Sequence, residues 1–282
     1  MLNKNIVSED YLNEKFLNEK IKKEYKNNSP FSNIVLENFF NEKFLNSVLN
    51  DFPDLSKIDI SEKYQNKDEV KFANNNYKDF PASIQELINF MNSQKFLNFL
   101  QELTSINERL IPDNDLNGGG LHEIKSGGFL KVHTDFNKHP TSNLDRRINI
   151  LIYLNKNWKE SYGGDLQLWD RNMQKCEKSI FPNFNKMVIF STTDFSNHGH
   201  PDPIVCPDHI SRKSIALYYF SDGRPIDEIN PENIKNKTYF KNRLGHANES
   251  SYTKNNFKNS IRRLKIYKFL KSIEKKYLRR KK

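Results

Sequence analysis

The chain has 282 residues, a formal net charge of +10 at neutral pH, 21 Phe and 12 Tyr. That length allows one large domain or two modest ones, with aromatic volume enough for a sizeable core. Only two cysteines occur, Cys176 and Cys206, without Cys-x-x-Cys spacing, which argues against a disulfide framework or a thiolate zinc centre.

The first residues, "MLNKNIVSEDYLNEKF", lack the apolar stretch of a secretory signal, and no apolar run reaches membrane-spanning length. The expectation is a cytoplasmic protein. The positive charge is not spread over the chain. Residues 261 to 282 hold eleven Lys or Arg and one Glu, which accounts for the whole net charge of +10. The rest is balanced, so no nucleic-acid partner is expected for it.

In chain order, residues 8 to 28 read as a polar, loosely amphipathic helix. "FSNIVLENFF" (31 to 40) reads as a strand leading to a helix start, and "NEKFLNSVLNDFP" as a helix that stops at Pro53. Residues 54 to 81 are charged and irregular. Residues 81 to 105 give the strongest helical spacing of the first half. After "NDLNGGG" (114 to 120) the pattern turns to short β-like runs: "GGFLKVHTD", "RINILIYLN", "GGDLQLWD", "KMVIFSTT" and "KSIALYYFS". Short strands without intervening helices suggest a sandwich or barrel, with the earlier helices buttressing one face.

Six of the seven histidines lie between positions 122 and 209. His133 and Asp135 follow the apolar run Phe129 to Val132. They fit three roles: polar surface, a buried hydrogen-bonded pair, or two arms of a metal site. Residues i and i+2 of a strand share a face, so both can point at one centre. "FSTTDFSNHGHP" offers a third arm, His198 or His200, directly after the apolar "MVIF". Two histidines and one carboxylate, with open positions opposite, are the donor set of non-haem Fe(II) oxygenases. No His-Glu-x-x-His of a zinc peptidase is present.

In "SRKSIALYYF" (211 to 220), Arg212, Ser214, Ala216 and Tyr218 share one strand face, and Ile215, Leu217 and Tyr219 the other. A guanidinium beside small residues suits a carboxylate ligand. In "INILIYLN", Ile148, Ile150 and Ile152 form an apolar face. Asn149, Leu151 and Tyr153 form the opposite one, where Asn149 and Tyr153 could reach the cavity of Arg212.

The order of these motifs resembles the Fe(II)- and 2-oxoglutarate-dependent dioxygenases, in particular their prolyl hydroxylase branch, over roughly residues 118 to 225. "HTD", "IYLNKNW" with "GGDLQLW", "SNHGHP" and "SRKSIALYYF" carry the likeness. It implies an α+β fold with a double-stranded β-helix (jelly roll, cupin-like) core, buttressed by N-terminal helices. It implies His133, Asp135 and His198 as iron ligands, with His200 the other candidate for the third position. It implies Arg212, Tyr153, Ser214 and Asn149 around 2-oxoglutarate. Fe(II), 2-oxoglutarate and O2 would be used, with ascorbate an optional addition, to hydroxylate a C–H bond and release succinate and CO2. Relatives often carry a Tyr about ten residues before the His-x-Asp; here His122, Glu123 or Ile124 stands in its place. The substrate side reads as peptidyl proline, another protein side chain, a free amino acid, a saccharide or a natural product. A non-catalytic metal-binding module is the rival of another class.

The expected organisation is a helical support region (1 to 113), the dioxygenase core (114 to 225) and an extension (226 to 282). In the tail "SIRRLKIYKFLKSIEKKYLRRKK" (260 to 282), Ile266, Phe269 or Leu270, Ile273 and Tyr277 recur at helical spacing. This predicts a basic amphipathic helix that contacts an anionic membrane surface or an acidic partner.

Overall fold

The computed structural model describes residues 2–13, 16–59, 61–233 and 237–243. The predicted basic helix of residues 260 to 282 lies outside the described residues. Among the described residues no helix is long and apolar enough to cross a membrane.

Four α-helices precede most of the sheet: α1 (Glu19–Asn27), α2 (Glu42–Asn50), α3 (Ala82–Met91) and α4 (Gln94–Thr104). Side-chain oxygens at the first turn start three of them. Asn18 accepts from Lys20 N and Ile21 N, Asn41 from Lys43 N and Phe44 N, and Ser93 from Phe96 N. These caps correct two expectations. Asn18 begins the first helix ten residues later than the pattern suggested. Ser93 divides the predicted 81 to 105 helix into α3 and α4.

The strands are β1 (Asn33–Glu37), β2 (Glu62–Gln65), β3 (Glu69–Asn74), β4 (Ile111–Pro112), β5 (Gly120–Ile124), β6 (Phe129–Thr134), β7 (Asp145–Tyr153), β8 (Leu166–Trp169), β9 (Cys176–Ile180), β10 (Lys186–Ser191), β11 (Asn197–His200), β12 (Arg212–Ser221) and β13 (Tyr239–Phe240). They form one antiparallel sheet in the order β1-β10-β7-β12-β5-β3-β6-β11-β8-β9, with β13 on β6, β2 on β3 and β4 on β12. The sheet curls until β12 and β11, well separated in that order, line one cavity. This is the expected α+β jelly roll.

The charged segment 54 to 81, read as irregular, holds the β2–β3 hairpin. β3 joins the two halves of the sheet by pairing with both β5 and β6. Its Lys and Glu side chains hide the strand pattern, because one face looks into a polar cavity rather than a core.

Each long strand serves two sides. The outer faces of β7 and β12 place Ile148, Ile150, Ile152, Ile215, Leu217 and Tyr219 against Phe96, Leu100, Leu87 and Ile84 of the helices in one core. Full burial of each large apolar side chain contributes roughly 1.5–3 kcal/mol. This layer fixes the sheet, and the alternation of the strands turns the opposite residues inward toward the cavity.

Candidate active site

The cavity has a volume of about 290 Å³ and is lined by residues from β3, β5, β6, β7, β8, β11 and β12. His133 is the penultimate residue of β6, Asp135 follows the strand, and His198 stands directly opposite His133 in the β6–β11 pairing. Gly199 permits this register. A Cβ there would lie 2.7 Å from the Lys131 carbonyl oxygen and 2.8 Å from that of Leu130. A bulge between His198 and His200 follows at once.

The donor atoms of His133, Asp135 and His198 all lie within 4.8 Å of one another. His133 Nε2 is 3.6 Å from Asp135 Oδ1, and His198 Nε2 is 3.4 Å from Asp135 Oδ2. Each ring is oriented from behind: His133 Nδ1 donates to Lys131 O at 2.8 Å and His198 Nδ1 to Ser196 O at 2.9 Å. Those bonds leave both Nε2 lone pairs facing the carboxylate, the orientation a metal ligand needs. Burial pushes His198 down to about 4, although Asp135 opposes the shift.

Asp135 is held by groups of its own. Arg146 Nη2 lies 3.1 Å from Oδ2, and Asn149 Nδ2 donates to the same oxygen at 2.7 Å. Arg146 Nε in turn donates to Asn149 Oδ1 at 2.9 Å. Burial pushes the Asp135 carboxyl up, but Arg146, His198 and His133 together hold it well below the usual carboxylate range. The Arg146 guanidinium is stacked over the Tyr218 ring at 3.5 Å and the Phe136 ring at 4.5 Å. Its Nη1 meets no hydrogen-bond partner, and the residue is 1% exposed.

At another part of the wall, Arg212 Nε donates to Gly164 O at 2.7 Å and Nη2 to Tyr153 Oη at 3.2 Å. Gly164 has φ +79°, and a Cβ there would stand 3.1 Å from Arg212 Cδ. The Gly-Gly turn therefore makes the seat of the guanidinium. Ser214, two residues along β12, lines the cavity beside it. Tyr153 is fully buried behind Arg212.

The structure thus brings together His133, Asp135 and His198, and separately Arg212, Tyr153 and Ser214. Asn149 was expected with the second group, yet its amide is engaged by Asp135 and Arg146. Glu123 leaves the cavity; its carboxylate accepts from Leu55 N at 2.7 Å and Ser211 Oγ at 2.6 Å. His122 and Ile124 are the β5 residues that line the cavity.

Arg146 was missed by the sequence reading. Simple alternation places it with Ile148, Ile150 and Ile152 on the helix-covered face. A bulge shifts the β7–β12 register between Ile148 and Arg146, opposite Tyr219 and Phe220. It turns Arg146 inward and Arg147 outward, where Arg147 meets Glu108 at 2.8 Å. Lys71 of β3 and Phe240 of β13, whose ring centroid is 5.5 Å from that of His133, also line the site without a sequence signal.

Residues 119–220 match the family model of the 2OG-Fe(II) oxygenase superfamily. This segment contains His133, Asp135, His198, Tyr153 and Arg212. The chain is 30% identical over 92 residues to the mouse (Mus musculus) protein prolyl 3-hydroxylase OGFOD1, a match that covers 30% of this chain and 16% of that relative. Among solved structures it is similar to a Trichoplax adhaerens prolyl hydroxylase in complex with a hypoxia inducible factor oxygen degradation domain peptide fragment. There the TM-score is 0.53 at 18% identity, covering 72% of this chain and 90% of the other. A Pseudomonas putida prolyl-4-hydroxylase gives a TM-score of 0.50 at 13% identity, over 72% of this chain and all of that one. These two likenesses establish the fold. The matched segment is thus similar to the core of the 2OG-Fe(II) oxygenases, and the relative that it resembles in sequence is a prolyl hydroxylase.

Proposed function

We propose that the protein is an Fe(II)- and 2-oxoglutarate-dependent dioxygenase that hydroxylates a C–H bond, with a prolyl side chain of a protein as its substrate class. The carrying observation is the convergence of two oriented imidazoles and one carboxylate in a cavity that also holds Arg212. The donor set fits Fe(II): two neutral nitrogen donors and one anionic oxygen, with cavity rather than protein on the remaining side. Buried polar atoms without partners, Arg146 Nη1 and both ring nitrogens of His200, fit a cavity meant to be filled.

When bound, iron with 2-oxoglutarate and O2 supplies an oxidant able to attack an unactivated C–H bond, yielding succinate and CO2. The chain's residues bind and orient. Lys131 O and Ser196 O fix the two rings, and Asn149 and Arg146 fix the Asp135 carboxylate. Arg212, seated by Gly164 O and Tyr153 Oη, offers its remaining N–H groups to the far carboxylate of the keto acid. Leu130, Leu151 and Leu166 line the cavity with apolar surface that limits water. Arg146 Nη1 offers a donor to a carbonyl of the bound substrate.

Support for a prolyl substrate comes from the relatives, since the residues named above address iron and keto acid. The test is succinate formation from 2-oxoglutarate with Fe(II), alone and with proline-containing peptides, followed by mass spectrometry for a gain of one oxygen. Turnover stimulated by such peptides and lost in His133→Ala is expected. Wild-type protein that forms no more succinate than His133→Ala, with any peptide, would leave a non-catalytic metal-binding module as the better account. Stimulation only by free amino acids or saccharides would retain the chemistry and overturn the substrate.

A further inference from the structure

The cavity contains imidazole nitrogens for which the protein provides nothing. His200 is 4% exposed, and neither Nδ1 nor Nε2 has a hydrogen-bond partner. The Nε2 atom of His122 is also buried and unmet. An unsatisfied buried donor or acceptor costs about 1–3 kcal/mol, so such a wall is complete only when a polar molecule fills the cavity.

Their placement identifies which molecule. His200 lies two residues beyond His198 on β11 and lines the same cavity as Arg212, Lys71, His133 and His122. His122 on β5 pairs in register with Ser214 on β12 and with Ala73 on β3, so small side chains flank it on both sides. Gly199, adjacent to His200, holds β11 tight against β6 and keeps the ring at the wall. An acid that reaches from Arg212 to the triad shares this cavity of about 290 Å³ with both rings. A histidine that bears one proton carries one N–H donor, and that donor matches a carboxylate or keto oxygen.

We infer that His200, with His122 beside it, is a positioning residue for the keto acid, donating a ring N–H to it between its Arg212 end and its metal end. This rests on the reading that the site takes 2-oxoglutarate. His198, opposite His133, remains the third member of the triad, and His200 serves the ligand.

The experiment is calorimetric titration of 2-oxoglutarate into Mn(II)-loaded protein under argon, with Mn(II) affinity measured separately by electron paramagnetic resonance. His200→Phe keeps ring volume and removes the donor; His200→Gln restores an N–H. Loss of one hydrogen bond to a charged group predicts a Kd for 2-oxoglutarate raised about tenfold to a hundredfold in His200→Phe. Substantial recovery is expected in His200→Gln, with Mn(II) affinity unchanged in both. In wild-type protein loaded with Zn(II), the His200 ring-nitrogen resonances should move on addition of 2-oxoglutarate, a readout that needs no variant. Unmoved resonances, or a wild-type Kd in His200→Phe, would overturn the inference; so would loss of Mn(II) binding, which would make His200 a metal ligand. If Arg212→Ala abolishes 2-oxoglutarate binding while His200→Phe keeps it, only the His200 role fails. If wild-type protein does not bind 2-oxoglutarate, the functional reading itself fails.

Discussion

Replacing Arg146 with Met removes the guanidinium from Asp135 and keeps much of its volume between Tyr218 and Phe136. The carboxylate is then left with the Asn149 amide at 2.7 Å and two imidazoles at 3.6 and 3.4 Å. Breaking a buried ion pair by removing one partner destabilises by about 3–5 kcal/mol, and the surviving amide bond places this case at the lower end, about 3 kcal/mol. Urea unfolding of the metal-free protein in EDTA should show it. With an m-value of about 2–3 kcal/mol/M, the midpoint falls by roughly 1–1.5 M. Saturating Mn(II) should narrow the gap, because a divalent cation supplies the missing positive charge beside Asp135. A metal-free deficit under about 1 kcal/mol, below the range for a broken buried pair, would show that Arg146 is not the counter-charge. A deficit that Mn(II) leaves unchanged would show that it acts only through packing.

Arg212→Ala should raise the 2-oxoglutarate requirement by the equivalent of about 3–5 kcal/mol with metal binding nearly retained. Tyr153→Phe, which removes one bond to a charged group, should cost about 1.5–3 kcal/mol in the same assay. Gly199→Ala forces a methyl into the Leu130 and Lys131 carbonyls; destabilisation of about 1–3 kcal/mol in thermal melts is expected. Mn(II) affinity should fall with it, since His198 moves off His133. Glu108 is held below its usual 4.5 by the hydrogen bond from Arg147. A depressed carboxyl stabilises above its unfolded pKa and loses that contribution as pH falls through the folded one. Glu108→Gln should therefore be less stable than wild type at pH 7, by no more than about 1 kcal/mol because Glu108 is partly exposed. Urea midpoints of the two should converge in acid well below pH 4.5.

The parts of the fold legible in the sequence are those where both strand faces have distinct chemistry. β7 and β12 alternate Ile or Leu toward the helices with Asn, Tyr, Arg or Ser toward the cavity, and the alternation gave the right face for Asn149, Tyr153, Arg212 and Ser214. β3 was not legible. Its inward residues are Glu69, Lys71 and Ala73, and Glu69 and Lys71 pair with each other at 3.1 Å, a pattern that reads as solvated loop. β5 and β11 were not read as strands either, because each has only four or five residues and carries histidines and glycine where an apolar strand is recognised by Val and Ile. The site was legible where it depends on i and i+2 spacing, as for His133 and Asp135. It was not legible where a bulge resets the register, as for Arg146, because one inserted residue exchanges the two faces without a trace in composition.

The charges that line the cavity show why Arg146 and Arg212 belong to one design. Asp135 and Glu69 are the acids of the lining; Lys71, Arg146 and Arg212 are the bases, which leaves a net charge of +1. Four of these five are already committed: Arg146 to Asp135, and Lys71 to Glu69. Arg212 has only a carbonyl and a phenol as partners, so its charge stays uncompensated by the protein. A divalent ion on the triad adds two more positive charges. A dianionic keto acid brought against both would return the cavity to its starting charge, so the metal and the acid each lower the cost of burying the other. That coupling requires that Asp135 be the sole carboxylate at the metal. A second one would neutralise the ion before the acid arrived. The two-imidazole, one-carboxylate donor set and the uncommitted guanidinium are therefore halves of the same electrostatic arrangement.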